Sequence, residues 1–563
     1  MRLAGRGAAC HSLNPVQCDT LAVGYDGWHN ATNMAPTLDD IYKHLNRYKL
    51  YTALYRLGEF TSCFDLDFDL PLRVPNNRSD HLAPFVAEAN KYHPDKVARV
   101  ALAWTLYRFG RLLLLSGAGD SKWSELGFLP KDIRTPYQLL STMYDPFAEK
   151  PLEEGNPSQA VHRLIQTQAW LQEPVGTQIA RVQHQQTLFR ASHLWEPTET
   201  LFKQVYGLST IDWLFLLLVI YTYATGGFSL DLKLGVPQLD ELLQPATLQE
   251  LRKRNSLSKP EYCQRIRGKD DPYGSSPEQE LYSFEPLWLK PFYRPDPRHL
   301  PENVLVIPNK QCLLHKIGSG LLYDALELQE DDGGKQASHT LRTEYGNSVM
   351  KQYLLEYFRH FTCGDAEVFD LDTEPDQDGR PDVMLVMGDT ALLFETKLTL
   401  TNLISRYLGN RDTLLSHLRL DQPMGKGISQ LQDYARRVLK GELPGVSAKH
   451  VVCFLVSHDL PAMANSWLLE VVLHEVGEKL TAPLQFASLA DIEHIAVYMG
   501  AGCPVAQDLV LKCQPSEGRG QLYWPVLSFL NHTYPGTKYE NSIIQKYAEQ
   551  ATDRWRQFTT TQP

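Results

Sequence analysis

The segment Arg380–Lys397, with the sequence RPDVMLVMGDTALLFETK, decides the fold of the C-terminal half of this chain. It contains two short apolar runs, Val383–Met387 and Ala391–Thr396, on either side of Gly388-Asp389-Thr390. Short apolar runs that flank a Gly-Asp turn are typical of a β-hairpin. The sequence therefore predicts two adjacent antiparallel strands here.

The hairpin also predicts which polar side chains meet. Because the chain folds back at Gly388, Asp382 at the start of the first strand comes beside Glu395 at the end of the second. Residues two apart in a strand share a face. Glu395 and Lys397 therefore point the same way, and Thr396 is expected to point to the opposite face.

Further elements are predicted around the hairpin. Apolar residues at a spacing of four over Leu341–Phe361 indicate an amphipathic helix, and Glu367–Leu371 is a candidate strand. After the hairpin, a helix over Ile428–Leu439 precedes an apolar strand over His450–Val456. The order helix, three strands, helix, strand describes a mixed sheet with helices packed on it.

The first half of the chain has a different pattern. From Leu38 to Leu251 it is mainly helical, and Val97–Leu115 is one of the clearest helices. Asp145–Ser158 is predicted to be a loop between helices. The apolar run Trp213–Ala224 is shorter than the roughly 20 residues of a membrane span, which favours a buried core helix over a transmembrane segment.

Nine prolines between Leu257 and Pro308 forbid long helices and indicate a domain junction. We therefore predict a multidomain protein: a mainly helical region over 1–300, an α/β domain over 301–505 and a C-terminal extension over 506–563.

Composition narrows the class of protein. The chain has 563 residues, of which 43% are hydrophobic and 21% charged, as in ordinary globular proteins. Its nine cysteines form no CxxC pair, which argues against a zinc knuckle and fits a reducing compartment. The N-terminus lacks the apolar stretch of a secretory signal. These features predict a cytoplasmic protein, and the net charge of −11 argues against a surface that is basic throughout.

The predicted cluster of Asp382, Glu395 and Lys397 suits phosphodiester hydrolysis. Carboxylate oxygens bind Mg²⁺ and leave several waters on the ion. Such an ion polarises a phosphate and acidifies water. A lysine beside it can orient or deprotonate the attacking water, or offset charge in the transition state.

The motifs Pro381-Asp382 and Glu395-Thr396-Lys397, twelve residues apart, resemble those of the PD-(D/E)XK nuclease superfamily. Gln430 and Tyr434, in GISQLQDYARR, are similar to the QxxxY element of its RecB-like members. At a spacing of four on a helix, these two side chains face one side. The resemblance covers roughly residues 305–500.

The resemblance implies a restriction-endonuclease-like fold and a metal-dependent deoxyribonuclease, with endonuclease cleavage expected. It implies Mg²⁺, or Mn²⁺ in its place, held by Asp382 and Glu395. Lys397, Gln430 and Tyr434 complete the expected catalytic site. DNA is then the expected partner, without a membrane, and a role in restriction or anti-phage defence follows only by analogy with the superfamily.

The chain departs from the family pattern at one point. Many relatives carry a metal-binding glutamate on the first core helix, where this sequence has Met350 and Lys351. Glu344 is the nearest substitute and is taken here as the third candidate metal ligand.

Charge distribution supports a site for nucleic acid. Ten acidic residues and one basic residue lie between Asp365 and Thr396, and eight basic and three acidic residues lie between Lys397 and Lys440. An acidic metal site beside a basic face suits a nuclease, because phosphate contacts supply most non-specific affinity. Two solvated surfaces of opposite sign are the alternative.

Other interpretations stay open. Pro375-Asp376 competes with Pro381-Asp382 as the first motif. Lys91–Lys96 (KYHPDK) is similar to the loop of J-domain co-chaperones, but the segment before it is short and not basic, so we interpret Pro94-Asp95 as the start of a helix. A nuclease fold with a silent site, serving as a nucleic-acid-binding or scaffold protein, is the rival function. Single strands could stack on a group of aromatic residues that otherwise belong to the core; these are Phe284, Trp288, Phe292 and Tyr293.

Overall fold

The computed structural model describes residues 38–46, 48–61, 63, 82–92, 106, 108–118, 175–224, 226–267, 285–298, 302–362, 364, 366–371, 379–400, 411–458, 460, 464–514 and 521–559. Several sequence predictions fall outside these residues. They are the loop Asp145–Ser158, the Pro375-Asp376 dipeptide, Phe284 and most of Lys91–Lys96. Of the predicted helix Val97–Leu115, residues 108–115 are helical.

Helices predominate before the second sheet. They are α1 (Leu38–Leu45), α2 (Leu50–Thr61), α3 (Ala83–Tyr92), α4 (Val175–Phe189), α5 (Trp195–Tyr206), α6 (Thr210–Tyr223), α7 (Pro237–Leu242), α8 (Pro245–Asn255), α9 (Lys259–Arg267), α10 (Glu285–Leu289), α11 (Lys310–Tyr345) and α12 (Gln352–Phe361). A π-helical segment, Gly346–Lys351, joins α11 to α12, and α11 is kinked at Gly334. The single helix predicted over Leu341–Phe361 is thus the end of α11, the π-helical segment and α12.

Later helices surround and follow the second sheet. They are α13 (Arg411–His417), α14 (Pro423–Leu439), α15 (Ala464–Val476), α16 (Leu489–Gly500), α17 (Val505–Cys513), α18 (Val526–Thr533) and α19 (Ser542–Thr559), with 3₁₀ turns at Gly477–Lys479 and Gln521–Tyr523.

The first sheet lies within the region predicted to be helical and its proline-rich border. Its strands are β1 (Gly227–Ser229), β2 (Ser256–Leu257), β3 (Phe292–Tyr293) and β4 (Val304–Val306), in the order β1-β4-β3-β2. The β2–β3 pair is parallel, and the β1–β4 and β3–β4 pairs are antiparallel.

The second sheet carries the candidate site. Its strands run in chain order: β5 (Ala366–Asp370), β6 (Val383–Met387), β7 (Thr390–Lys397), β8 (His450–Ser457) and β9 (Leu484–Ala487). The first three are antiparallel, whereas β8 and β9 are added in parallel. The predicted hairpin and the predicted order of elements are therefore present, with α13, α15 and β9 as additions.

Alternation along the strands gives this sheet two buried faces. Val383 and Leu385 belong to a core shared with Tyr353 of α12. Met384 and Leu393, on the other face, pack in a core with α14 and α15. Helices thus cover both faces, as expected for a mixed sheet with a parallel part.

The core of the first face continues far beyond the sheet. It runs from Ile179 in α4 to Tyr547 in α19 without interruption at residue 300 or 505. The rings of His184 in α4 and Tyr547 stack with their centroids 4.8 Å apart. Residues on both sides of the two predicted boundaries therefore share one core.

Helix α6 contains the apolar run Trp213–Ala224. Trp213, Leu216 and Ile220 are buried in the shared core, which confirms the prediction of a buried core helix. No single helix in the described part of the chain is long and apolar enough to cross a membrane, and α5 and α6 meet that test only as a pair bent by 48°.

The described residues are mainly helical, with two small mixed sheets flanked by helices. This confirms the coarse prediction of a chain with a mainly helical part and an α/β part.

Candidate active site

The hairpin register sets the position of the two candidate metal ligands. Val383 pairs with Phe394 across the antiparallel β6–β7 pair, so the next position places Asp382 opposite Glu395. Directly opposed residues have Cβ atoms about 4.5–5.5 Å apart. Gly388, with φ of 60°, provides the left-handed backbone at the turn. The register therefore places the backbone of Asp382 opposite that of Glu395, as the predicted hairpin requires.

Thr396, the residue between Glu395 and Lys397, holds the Asp382 carboxylate. Asp382 Oδ2 accepts hydrogen bonds from the backbone N–H of Thr396 at 2.6 Å and from Thr396 Oγ1 at 2.5 Å. Sequence reasoning missed this role because alternation assigned the Thr396 side chain to the opposite face. The only local signal was a hydroxyl at the middle position of Glu395-Thr396-Lys397.

Glu395 and Lys397 form an ion pair on the same face, as the two-residue spacing predicted. Lys397 Nζ donates to Glu395 Oε1. Glu395 is only 2% exposed. A buried carboxylate is costly unless a cation or a donor compensates it. Lys397 therefore provides the cation that compensates the buried Glu395 carboxylate.

Helix α14 brings Gln430 to this pair. Gln430 Oε1 lies 3.4 Å from Lys397 Nζ, and Gln430 Nε2 donates to the backbone carbonyl of Arg380 at 3.1 Å. Its amide thus links the lysine at the end of β7 to the residue that precedes Pro381. The structure thus joins Gln430 to Lys397, one of the three predicted catalytic residues.

Gly427 allows the helix to come this close. A Cβ at Gly427 would lie 3.3 Å from Lys397 Cε and 3.4 Å from Glu395 Cγ. It would also lie 2.6 Å from Leu455 Cδ1 of β8. Any side chain here would press on the candidate site, so Gly427 is a second residue that sequence reasoning missed.

Tyr434 lies one turn beyond Gln430, and its ring is packed in the core under the sheet. It is 4% exposed, and the Arg437 guanidinium lies 5.3 Å from its ring centroid. The contacts described for Tyr434 are therefore packing contacts beside the site.

Glu344 does not join the two other candidate metal ligands. Its Oε1 accepts a hydrogen bond from Ser192 Oγ at 2.7 Å and lies 3.5 Å from His193 Nδ1. Within the described residues, no three His, Cys, Asp or Glu side chains come together as a metal site. The expected set of Asp382, Glu395 and Glu344 is thus not assembled, because Glu344 faces the connection between α4 and α5.

The position searched for the family glutamate holds a cation. Lys351, in the π-helical segment, is buried and forms an ion pair with Asp370 of β5 at 2.6 Å. Its neighbour Met350 is fully buried. This helical segment therefore presents an ammonium group to the end of β5.

The basic residues at the end of α14 have acidic neighbours. Arg436 Nη1 lies 2.9 Å from Asp433 Oδ1, and Lys440 Nζ lies 3.9 Å from Glu442 Oε1. Arg437 Nε lies 4.0 Å from the same glutamate. These pairs reduce the net positive charge of the face that the sequence predicted to be basic.

The aromatic residues considered for single-strand stacking are core residues where they are described. Phe292 and Tyr293 form β3 and are buried, and Trp288 stacks on His315 with centroids 4.5 Å apart. Their faces are covered by protein, which supports the structural interpretation.

The chain matches no family model, no curated protein and no solved structure in comparisons with known proteins.

Proposed function

We propose that this chain is a metal-dependent nuclease that hydrolyses phosphodiester bonds in DNA. The observation that carries the proposal is the position of Asp382 opposite Glu395, with Lys397 and Gln430 at the same end of the hairpin. Helices on both faces of a mixed sheet, in the order that the resemblance implies, support a restriction-endonuclease-like fold for this part of the chain.

The donor set fits one Mg²⁺. This ion is commonly held by one or two carboxylates together with substrate phosphate and water, and Asp382 and Glu395 supply two carboxylates. A bound Mg²⁺ would contribute positive charge against the scissile phosphate. The chain offers no third carboxylate here within its described residues, so we propose a single protein-held ion.

The remaining groups act on the substrate side. Lys397, an ammonium donor beside Glu395, orients the attacking water and offsets negative charge that develops on the phosphate. Gln430 restricts the position of Lys397 through the amide bridge to the Arg380 carbonyl. Groups held in place before substrate arrives reduce the reorganisation needed in the transition state.

Cleavage of supercoiled plasmid DNA with and without Mg²⁺ tests the proposal. Wild type is expected to nick or linearise the plasmid only with the metal, and Asp382→Asn is expected to abolish this. Asp389→Asn is the matched control, because Asp389 lies in the turn of the same hairpin, 3.5 Å from Lys449 Nζ. It should cleave like wild type.

A scaffold protein with a silent nuclease fold is the second candidate, and the Lys351–Asp370 pair at the family's glutamate position favours it. It predicts metal-independent DNA binding without cleavage. Wild type that binds DNA but never cleaves it, with Mg²⁺ or Mn²⁺, would overturn the nuclease proposal in favour of this one.

A further inference from the structure

We infer that Thr396 is a positioning residue that orients the Asp382 carboxylate for metal binding. The inference rests on the proposed function and assigns to the middle residue of Glu395-Thr396-Lys397 a role in the affinity for the ion.

The β6–β7 pairing ends before it reaches Thr396. Continuing the β6–β7 register two pairs beyond Val383–Phe394 places Pro381 opposite Thr396. Proline has no backbone N–H to donate to the Thr396 carbonyl, so the ladder is incomplete at that pair. The Thr396 N–H donates to the Asp382 side chain, at Oδ2. At this end of the sheet, a side-chain oxygen of Asp382 therefore accepts the hydrogen bond of the Thr396 N–H.

The hydroxyl adds a second donor to the same atom. Thr396 Oγ1 donates to Asp382 Oδ2, so one oxygen receives two hydrogen bonds from one residue. Two donors on Oδ2 fix the rotation of the carboxylate, and this fixes the direction in which Oδ1 lies. Hydrogen bonds to ionised acceptors are among the stronger ones in proteins.

Thr396 is itself held firmly. It is 8% exposed and lies in β7, between β6 and β8. A threonine in a strand has few accessible χ1 rotamers, so its hydroxyl donates from a defined position. Partners that orient a ligating carboxylate typically contribute 10–100-fold to metal affinity or activity.

Thr396→Val removes the hydroxyl while it keeps the shape of the side chain and the backbone N–H. We expect about tenfold weaker binding of Mg²⁺ to the protein without DNA, measured by calorimetry with Mg²⁺ alone. In cleavage assays the Mg²⁺ concentration for half-maximal rate should rise by the same factor, while the rate at saturating Mg²⁺ stays within about threefold of wild type. Thr396→Ser, which restores the hydroxyl, should recover most of the affinity.

Thr390→Val is the matched control. Thr390 is a buried threonine at the other end of the same strand, and its replacement should leave Mg²⁺ binding unchanged. The inference is overturned, with the proposed function intact, if wild type binds Mg²⁺ and cleaves DNA but Thr396→Val binds Mg²⁺ equally well. It is also overturned if Thr396→Ser loses as much affinity as Thr396→Val, because packing would then be the cause. Wild type that neither binds Mg²⁺ nor cleaves DNA would refute the proposed function itself.

Discussion

Gly427→Ala tests whether cleavage depends on the close packing of α14 against the end of β7. The new methyl group would lie 2.6 Å from Leu455 Cδ1, 3.3 Å from Lys397 Cε and 3.4 Å from Glu395 Cγ. Carbon atoms in contact prefer about 3.5–4.0 Å. The Leu455 methyl must therefore move by about 1 Å, and the two site side chains by a few tenths of an ångström.

These distances separate the effect on stability from the effect on activity. Overpacking a core costs about 1–3 kcal/mol, whereas Gly→Ala inside a helix contributes about 1 kcal/mol of stabilisation. The free energy of unfolding should therefore fall by roughly 0–2 kcal/mol. Misplacing reacting groups by about 1 Å costs about 100-fold in rate, so a smaller shift of Lys397 and Glu395 should slow cleavage by about tenfold.

Single-turnover cleavage at saturating Mg²⁺ and urea denaturation, run on the same preparation, measure both quantities. Gly176→Ala is the matched control: Gly176 lies in α4, and a Cβ there would meet no atom within 4 Å. It should be as active as wild type. A Gly427→Ala protein that loses the expected stability but cleaves at the wild-type rate would refute the coupling of this helix to the site.

Other perturbations address separate parts of the molecule. Gln430→Ala should lower the single-turnover rate about tenfold with unchanged DNA affinity, since its amide lies 3.4 Å from the Lys397 ammonium; an unchanged rate would contradict its assigned role. Lys426 lies at an exposed position on α14, and Lys426→Ala should reduce the salt dependence of DNA binding by about one unit. Arg436 is already paired with an acidic neighbour, so Arg436→Ala should reduce the salt dependence less. An equal reduction in the two variants would contradict this expectation. Burial lowers the pKa of Lys512 from its ordinary 10.5 to about 8. Between pH 8 and pH 10.5 the unfolded chain therefore binds more protons than the folded protein. The free energy of unfolding should rise with pH over this range, by at most about 3 kcal/mol. Lys512→Met should flatten that rise in urea titrations between pH 7.5 and 10.5, and an identical rise in both proteins would exclude Lys512 as its source.

The hairpin and its register were predictable because their determinants are local. A Gly-Asp turn between two short apolar runs fixes the pairing, and the pairing fixes that Asp382 opposes Glu395. The spacing of Gln430 along α14 is likewise a local property. These features carry the part of the candidate site that sequence reasoning anticipated.

The roles of Thr396 and Glu344 depend on geometry that local patterns do not contain. Alternation correctly describes residues inside a strand, but Asp382 lies just before β6, where its side chain can reach the Thr396 hydroxyl. Glu344 precedes a π-helical segment, which changes the angular relation between residues on either side of it. Helical spacing alone therefore could not tell which way Glu344 faces.

Local sequence patterns also could not predict that distant helices share one core. Proline density reports where the backbone cannot form long helices, and it says nothing about which distant helices pack together. The stacking of His184 in α4 on Tyr547 in α19 joins residues more than 300 positions apart, and so does the ion pair of Arg181 in α4 with Glu493 in α16. The strands of the first sheet, two or three residues long, are too short to produce a periodic signal.

The packing of α19 on α4 has a consequence for how the chain matures during synthesis. A ribosome releases α4 and the whole hairpin long before it has made Tyr547, the residue that stacks on His184. Until then the matching surface of α4 stays open to solvent, and long-range contacts of this kind form slowly. Nascent and truncated chains therefore carry every residue of the candidate site while their shared core is incomplete. Completion of the last described helix is the step that completes this shared core.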